Sequence, residues 1–211
     1  MSLNLSYSCH ADSSACTEQL VLSNNNVNSH LTTTASAYNL YFTADSKAYF
    51  AIKYPDAGKI IINAETSVDV QDNAGNSQTL NFSASSHSFV VKPFGFDVLV
   101  ANNPAAINAS GNVFEKAGEP FNISLTAKQW VLGNDQNGDG LHNDGDTISG
   151  NATTVNFSAA VDISHSLMAP IPGANGTLTM INNLGFIDGI ASKTVRFSEV
   201  GIIGLEVNID G

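Results

Sequence analysis

The chain has 211 residues, with 8 basic against 19 acidic side chains and a formal net charge of -11. That balance argues against nucleic acid, which needs clustered Lys and Arg, and against an anionic membrane surface. No run of about 18 apolar residues occurs, so no membrane insertion is expected in this segment. Few charged helix formers accompany the abundant Asn, Ser, Thr, Gly and Val, and the composition therefore favours strands over helices.

Met1-Ser2-Leu3 has the look of a vector-derived leader and is set aside, the remainder being read as cut from something longer. Cys9 and Cys16 follow. An even count at close spacing fits one small disulfide loop in an oxidising compartment, with free thiols in a cytosolic protein as the alternative. The next strand is expected over 18–22, followed by a long Asn-rich loop at 23–28.

Period-two alternation then dominates. Tyr38, Leu40 and Phe42 face one way while Asn39, Tyr41 and Thr43 face the other. Ala48, Phe50, Ile52 and Tyr54 alternate with Lys47, Tyr49, Ala51 and Lys53, and Phe121, Ile123 and Leu125 with Asn122, Ser124 and Thr126. Successive side chains of a strand point to opposite faces, so this is the pattern of half-buried antiparallel strands. Further strands are expected at 59–63, 79–83, 88–91, 96–100, 154–157, 177–181 and 194–197, and 205–210 is strand-like. Turn-forming clusters at 55–58, 72–76, 116–120 and 172–176 separate them. Many short strands with frequent turns predict an all-β chain of tandem immunoglobulin-like antiparallel β-sandwiches. Pro93 lacks a backbone donor and follows a strand, which divides the chain into an N-terminal sandwich at 4–92 and a C-terminal one at 93–211 with an inserted acidic loop.

That loop, 135–146, is the one stretch with ion chemistry. Asp135, Asn137, Asp139, Asn143 and Asp146 stand at positions one, three, five, nine and twelve, with Gly140 at the sharp turn and the Leu141 carbonyl at position seven. Hard oxygen donors at this spacing suit a structural Ca²⁺ ion, as in an EF-hand or dockerin loop. Asp at position twelve reaches less far than the usual Glu, the flanks are not helical, and Asp144 adds charge inside the loop. A merely solvated acidic turn is the alternative reading.

No nucleophile elbow, zinc-protease helix or phosphate-binding Gly loop is present. His10, His30, His87, His142 and His165 are scattered singly, with His87 and His165 read as exposed positions between serines. The chain is therefore expected not to be an enzyme. Trp130 reads as a core anchor. As sugar-stacking candidates it stands with Tyr38, Tyr41 and Tyr49.

Four stretches in order carry a resemblance: 54–60 (Tyr-Pro-Asp-Ala-Gly-Lys-Ile), 88–96 (Ser-Phe-Val-Val-Lys-Pro-Phe-Gly-Phe), 113–121 (Val-Phe-Glu-Lys-Ala-Gly-Glu-Pro-Phe) and 195–201 (Val-Arg-Phe-Ser-Glu-Val-Gly). Together they resemble the MshQ family of mannose-sensitive hemagglutinin (MSHA) pilus biogenesis proteins of Gram-negative bacteria, over nearly the whole chain. The resemblance implies an exported segment at the cell surface, outer membrane or periplasm. Its role would be structural in type IV pilus biogenesis, with pilus or cell-surface proteins as partners. It carries over no catalytic residues. An adhesion module binding glycan or protein, with or without Ca²⁺, is the competing function.

Overall fold

A computed structural model describes residues 2–9, 15–108, 110–143, 145–183 and 185–209. Its described residues form fourteen β-strands and no helix. The chain divides into two compact units, Met1–Lys92 and Pro93–Gly211.

In the first unit the strands are β1 (Ser2–Cys9), β2 (Leu20–Asn24), β3 (Val27–Leu31), β4 (Ser36–Asn39), β5 (Ala51–Lys53), β6 (Gly58–Gln71), β7 (Ser77–Ser85) and β8 (Phe89–Val91). One sheet runs β4-β1-β6-β7, with β8 also on β6, and the other runs β3-β2-β5. Alternation decides which side chains meet between them. Leu5 and Tyr7 of β1 and Ile60 of β6 pack with Leu20 and Leu22 of β2 and Leu31 of β3, joined by Leu40 and Tyr54. Each aliphatic side chain so buried contributes about 1.5–3 kcal/mol. Cys9 and Cys16 form a disulfide with Cα atoms 5.5 Å apart, fastening the end of β1 to the segment that leads into β2.

Several expectations need correction. Ser2 and Leu3, set aside as a leader, belong to β1 and stand opposite Asn39 and Tyr38 of β4. The expected loop at 23–28 is a tight hairpin: Asn24 faces Val27, and Asn25 and Asn26 turn the chain at φ 48° and 63°. Asn tolerates that left-handed conformation, which two-residue hairpins require. The long strand expected at 48–54 is only three residues, with Phe50 and Ile52 exposed. The segment at 154–157 is a turn, closed by the Phe157 amide on the Thr154 carbonyl. It is held by burial of Thr154 and Phe157 rather than by pairing along its length.

The second unit contains β9 (Gly95–Val100), β10 (Pro120–Lys128), β11 (Asp162–Ala169), β12 (Leu178–Asn183), β13 (Ile190–Phe197) and β14 (Ile202–Asn208). Its main sheet runs β12-β13-β10-β9, and β11 pairs β14 in a second sheet of two strands. Ile123, Leu125 and Ala127 of β10 and Ala191, Val195 and Phe197 of β13 are buried on the main sheet. Phe96, Phe157 and Phe186 form a ring cluster with centroids 4.8 to 5.7 Å apart. His165, read as exposed, is half-buried in β11 and packs edge-on against Phe197 at 5.5 Å.

Burial, with the nearby Tyr54, Glu18 and Asp56, pushes the Tyr7 hydroxyl up to about 12 from 10.0, and its hydroxyl donates to the Glu18 carbonyl. In the unfolded chain this tyrosine ionises first, so raising the pH from about 10 to 12 removes stability. Tyr7→Phe should flatten that decline in urea midpoints measured across the same range; an unchanged slope would show that Tyr7 plays no part. Replacing Cys9 and Cys16 together by Ala should cost about 2–3 kcal/mol, the closure entropy of so short a loop, read as a lower urea midpoint.

Candidate functional site

The acidic loop leaves β10 at Lys128 and is clamped at its base. Lys128 is buried, and its ammonium donates to the carbonyls of Ser149 (3.1 Å) and Asn151 (3.0 Å). The buried Asn151 amide donates to the Gln129 carbonyl at 2.8 Å, and its side-chain oxygen accepts from Asn134. The Gln129 amide bonds the Ala152 carbonyl, and the Thr154 amide bonds that of Ala127. Two buried polar side chains thus satisfy main-chain groups that would otherwise lose their water on burial.

Within the loop the six expected ligands fall into two groups. Asp135 is buried, and its carboxylate accepts from the amides of Gly138 (2.7 Å) and Gly140 (2.9 Å) and from the Trp130 indole (2.9 Å). Gly138 and Gly140 sit at φ 73° and 79°, which lets both amides turn towards one carboxylate. Asp146 accepts from the amides of Gln136 (2.8 Å) and Asn143 (2.7 Å), drawing the two ends of the loop together. The remaining four stay close to each other: Asp139 accepts from the side chains of Asn137 (2.9 Å) and Asn143 (3.2 Å), and Asn143 also donates to the Leu141 carbonyl (3.1 Å).

Asp139 is therefore the centre of this group, accepting from the side-chain amides of Asn137 and Asn143 and from the Leu141 main-chain amide (2.8 Å), while the Asn137 side-chain oxygen accepts from the Asp139 amide (3.1 Å); like Asp135 and Asp146, both are engaged by the main chain. Among the described residues no three His, Cys, Asp or Glu side chains come together as a metal-holding group. Asp144 lies outside the described residues, as does His10.

Sequence reading missed Lys128, Asn151 and Gln136, none of which has a marked spacing. It placed Trp130 in the core, whereas the ring is half-buried and spends its N–H on Asp135. Of the sugar-stacking candidates, Tyr38 gives its hydroxyl to the His30 carbonyl at 2.5 Å. Tyr41 and Tyr49 are 60% and 66% exposed. Both are held by the buried Asn24, whose side chain accepts from the Tyr41 amide and donates to the Tyr49 carbonyl, each at 2.7 Å.

Comparison with protein families matches the same two units. Residues 1–85 fit a family described as a domain of unknown function (DUF6701), first Ig-like domain, and residues 92–196 fit the DUF6701 second domain. Both units are DUF6701 domains. No curated protein and no solved structure matches the chain. The DUF6701 descriptions name neither MshQ nor a pilus. Both DUF6701 units are built as antiparallel β-sheets, and no helix among the described residues is long and apolar enough to cross a membrane.

Lys128→Met should leave the Ser149 and Asn151 carbonyls without a donor and cost about 1–3 kcal/mol. Faster amide exchange at 129–153, with β12 and β13 unaffected, would locate the loss at the base of the loop; uniform loosening of the second unit would contradict the clamp.

Proposed function

We propose that these DUF6701 domains are a non-enzymatic structural segment of an exported bacterial surface protein, serving MSHA type IV pilus biogenesis. The observation that carries the structural reading is where buried polar side chains are spent. Asn24, Lys128, Asp135 and Asn151 each bind main-chain groups of loops, stiffening the connections between strands. The pilus association and the cell-surface location rest on the sequence resemblance alone. Replacing the segment in its intact parent protein with two unrelated β-sandwiches of equal length should preserve surface piliation. Loss of piliation with the parent still exported would show that the segment has a specific role, and the spacer reading would fail.

Within that role the loop at 135–146 is assigned a structural Ca²⁺ ion. The spacing of the oxygen donors supports it, with Asn137, Asp139, Leu141 and Asn143 in mutual contact. Asp135, Asn137, Asp139 and Asp146 would each have to exchange main-chain amides for the ion, which points to the weak, millimolar range of extracellular modules. The chain's single tryptophan donates to Asp135, so Ca²⁺ should shift its emission and raise the thermal midpoint. Asp139→Ala should remove both effects; an unchanged midpoint and spectrum at millimolar Ca²⁺ would refute the site.

One observation favours adhesion as a second reading: Tyr41 and Tyr49 are exposed, and one buried side-chain amide holds the main chain at both. Exposed rings carried on an anchored main chain are what a sugar face stacks on. A glycan array should then give signals that vanish in a Tyr41→Ala/Tyr49→Ala variant of unchanged stability. Silence of the native chain on such an array would leave the scaffold reading alone.

A further inference from the structure

The two sheets of the second unit are unequal, four strands facing two. His165 of β11 packs on Phe197 of β13, so β11 covers that side of the main sheet. Its outer edge is capped where the Asn175 side chain accepts from the Leu167 amide at 3.0 Å. β14 follows, and among the described residues it pairs β11 alone. Among the described residues no further strand of the small sheet lies beyond β14 towards β9.

A cavity of about 640 Å³ occupies that place. Val98 and Val100 of β9, Phe121 and Phe197 line it from the main sheet, and Ile203 and Leu205 of β14 from the small one. Its outer wall comes from 103–108 and 110–117, which join no sheet and leave Ile107 and Val113 91% and 82% exposed. β11 alternates between exposed and half-buried side chains and β14 is half-buried throughout 202–205, yet no residue of either strand is fully buried. Among the described residues the second unit therefore has a sandwich core with one strand position open, beside an edge of β14 that no strand pairs.

We propose that this groove receives an extended segment of another polypeptide, which adds to β14 as the third strand of the small sheet. The free edge selects an extended backbone, because only such a chain matches its row of donors and acceptors. The apolar floor selects alternate apolar side chains, since every second residue of the added strand points inward. The seven residues of β14 offer an edge about 23 Å long. Charge selects the source. Positions 93 to 211 hold four basic residues against twelve acidic ones. The exposed Glu115 and Glu199 stand at the groove with Lys116 as its one basic residue, and Glu206 lies exposed on β14. A second copy would bring the same acidic face to this edge and be repelled, so the partner strand is neutral or basic.

The probe is a nine-residue peptide alternating valine and threonine between terminal lysines, titrated against the full chain by fluorescence anisotropy. Saturable binding is expected, with amide exchange at 202–208 slowed at least tenfold in the complex. Methylating alternate backbone nitrogens keeps the side chains and removes the pairing donors; it should weaken binding at least tenfold. Glu115→Lys and Glu199→Lys alter exposed residues that support no buried contact, and together they should weaken the native peptide's binding several-fold while leaving thermal stability unchanged. Absence of saturable binding would overturn the proposal. Equal binding of the methylated peptide would do the same, showing a groove for apolar matter without strand addition. Dimerisation of the chain alone in sedimentation, with protection of 202–208, would overturn the choice of a foreign strand over a second copy.

Discussion

The contact between Leu5, Tyr7 and Ile60 on one sheet and Leu20, Leu22 and Leu31 on the other holds the first unit together. Leu5 and Tyr7 stand two apart on β1, as do Leu20 and Leu22 on β2, so a slip of one residue in either strand would turn its pair to water. The register of β1 against β6 and of β2 against β3 is thereby fixed by burial, and the disulfide between Cys9 and Cys16 ties the first pair to the second. The loops that carry the exposed tyrosines and the acidic stretch are features added to frames of this kind, and they inherit their order from buried amides and ammonium groups that hold their main chain.

The second unit shows the same rule under less complete coverage. Its main sheet buries Ile123, Leu125, Val195 and Phe197, but the facing pair of strands is narrower than the surface it must shield. The aromatic cluster of Phe96, Phe157 and Phe186 makes up part of the difference with two loop residues, Phe157 and Phe186, in place of a strand. Towards β9 the shortage persists as the cavity beside β14.

Much of this was legible from alternation. The runs around Phe121–Leu125 and Thr194–Phe197 and the two-sandwich architecture were readable because apolar and polar residues alternate without interruption there. β1 was missed because its first residues were discounted, and β11 because Ser164, His165 and Ser166 break its apolar run. Thr154–Phe157 has the composition of a strand but turns, since two of its residues are drawn into the core three positions apart. In the acidic loop, spacing found the oxygen donors, but not that Asp135 and Asp146 would be occupied by main-chain amides. Nor could spacing find Lys128: a lysine at a strand end carries no mark of burial, and only the carbonyls brought to it by 149–151 explain it.

The placement of β1 and β8 has a mechanical meaning. Both run antiparallel to β6, on opposite sides of it, and so run parallel to one another at the two ends of the first unit. Tension applied through the chain at those ends drags β1 and β8 in opposite directions along β6. Their hydrogen bonds then carry the load together, in shear, instead of parting one at a time as in a peeled hairpin. The disulfide meanwhile keeps the segment from Cys9 to Cys16 from paying out as slack, so the unit is laid out like a lap joint, suited to a tether under pull.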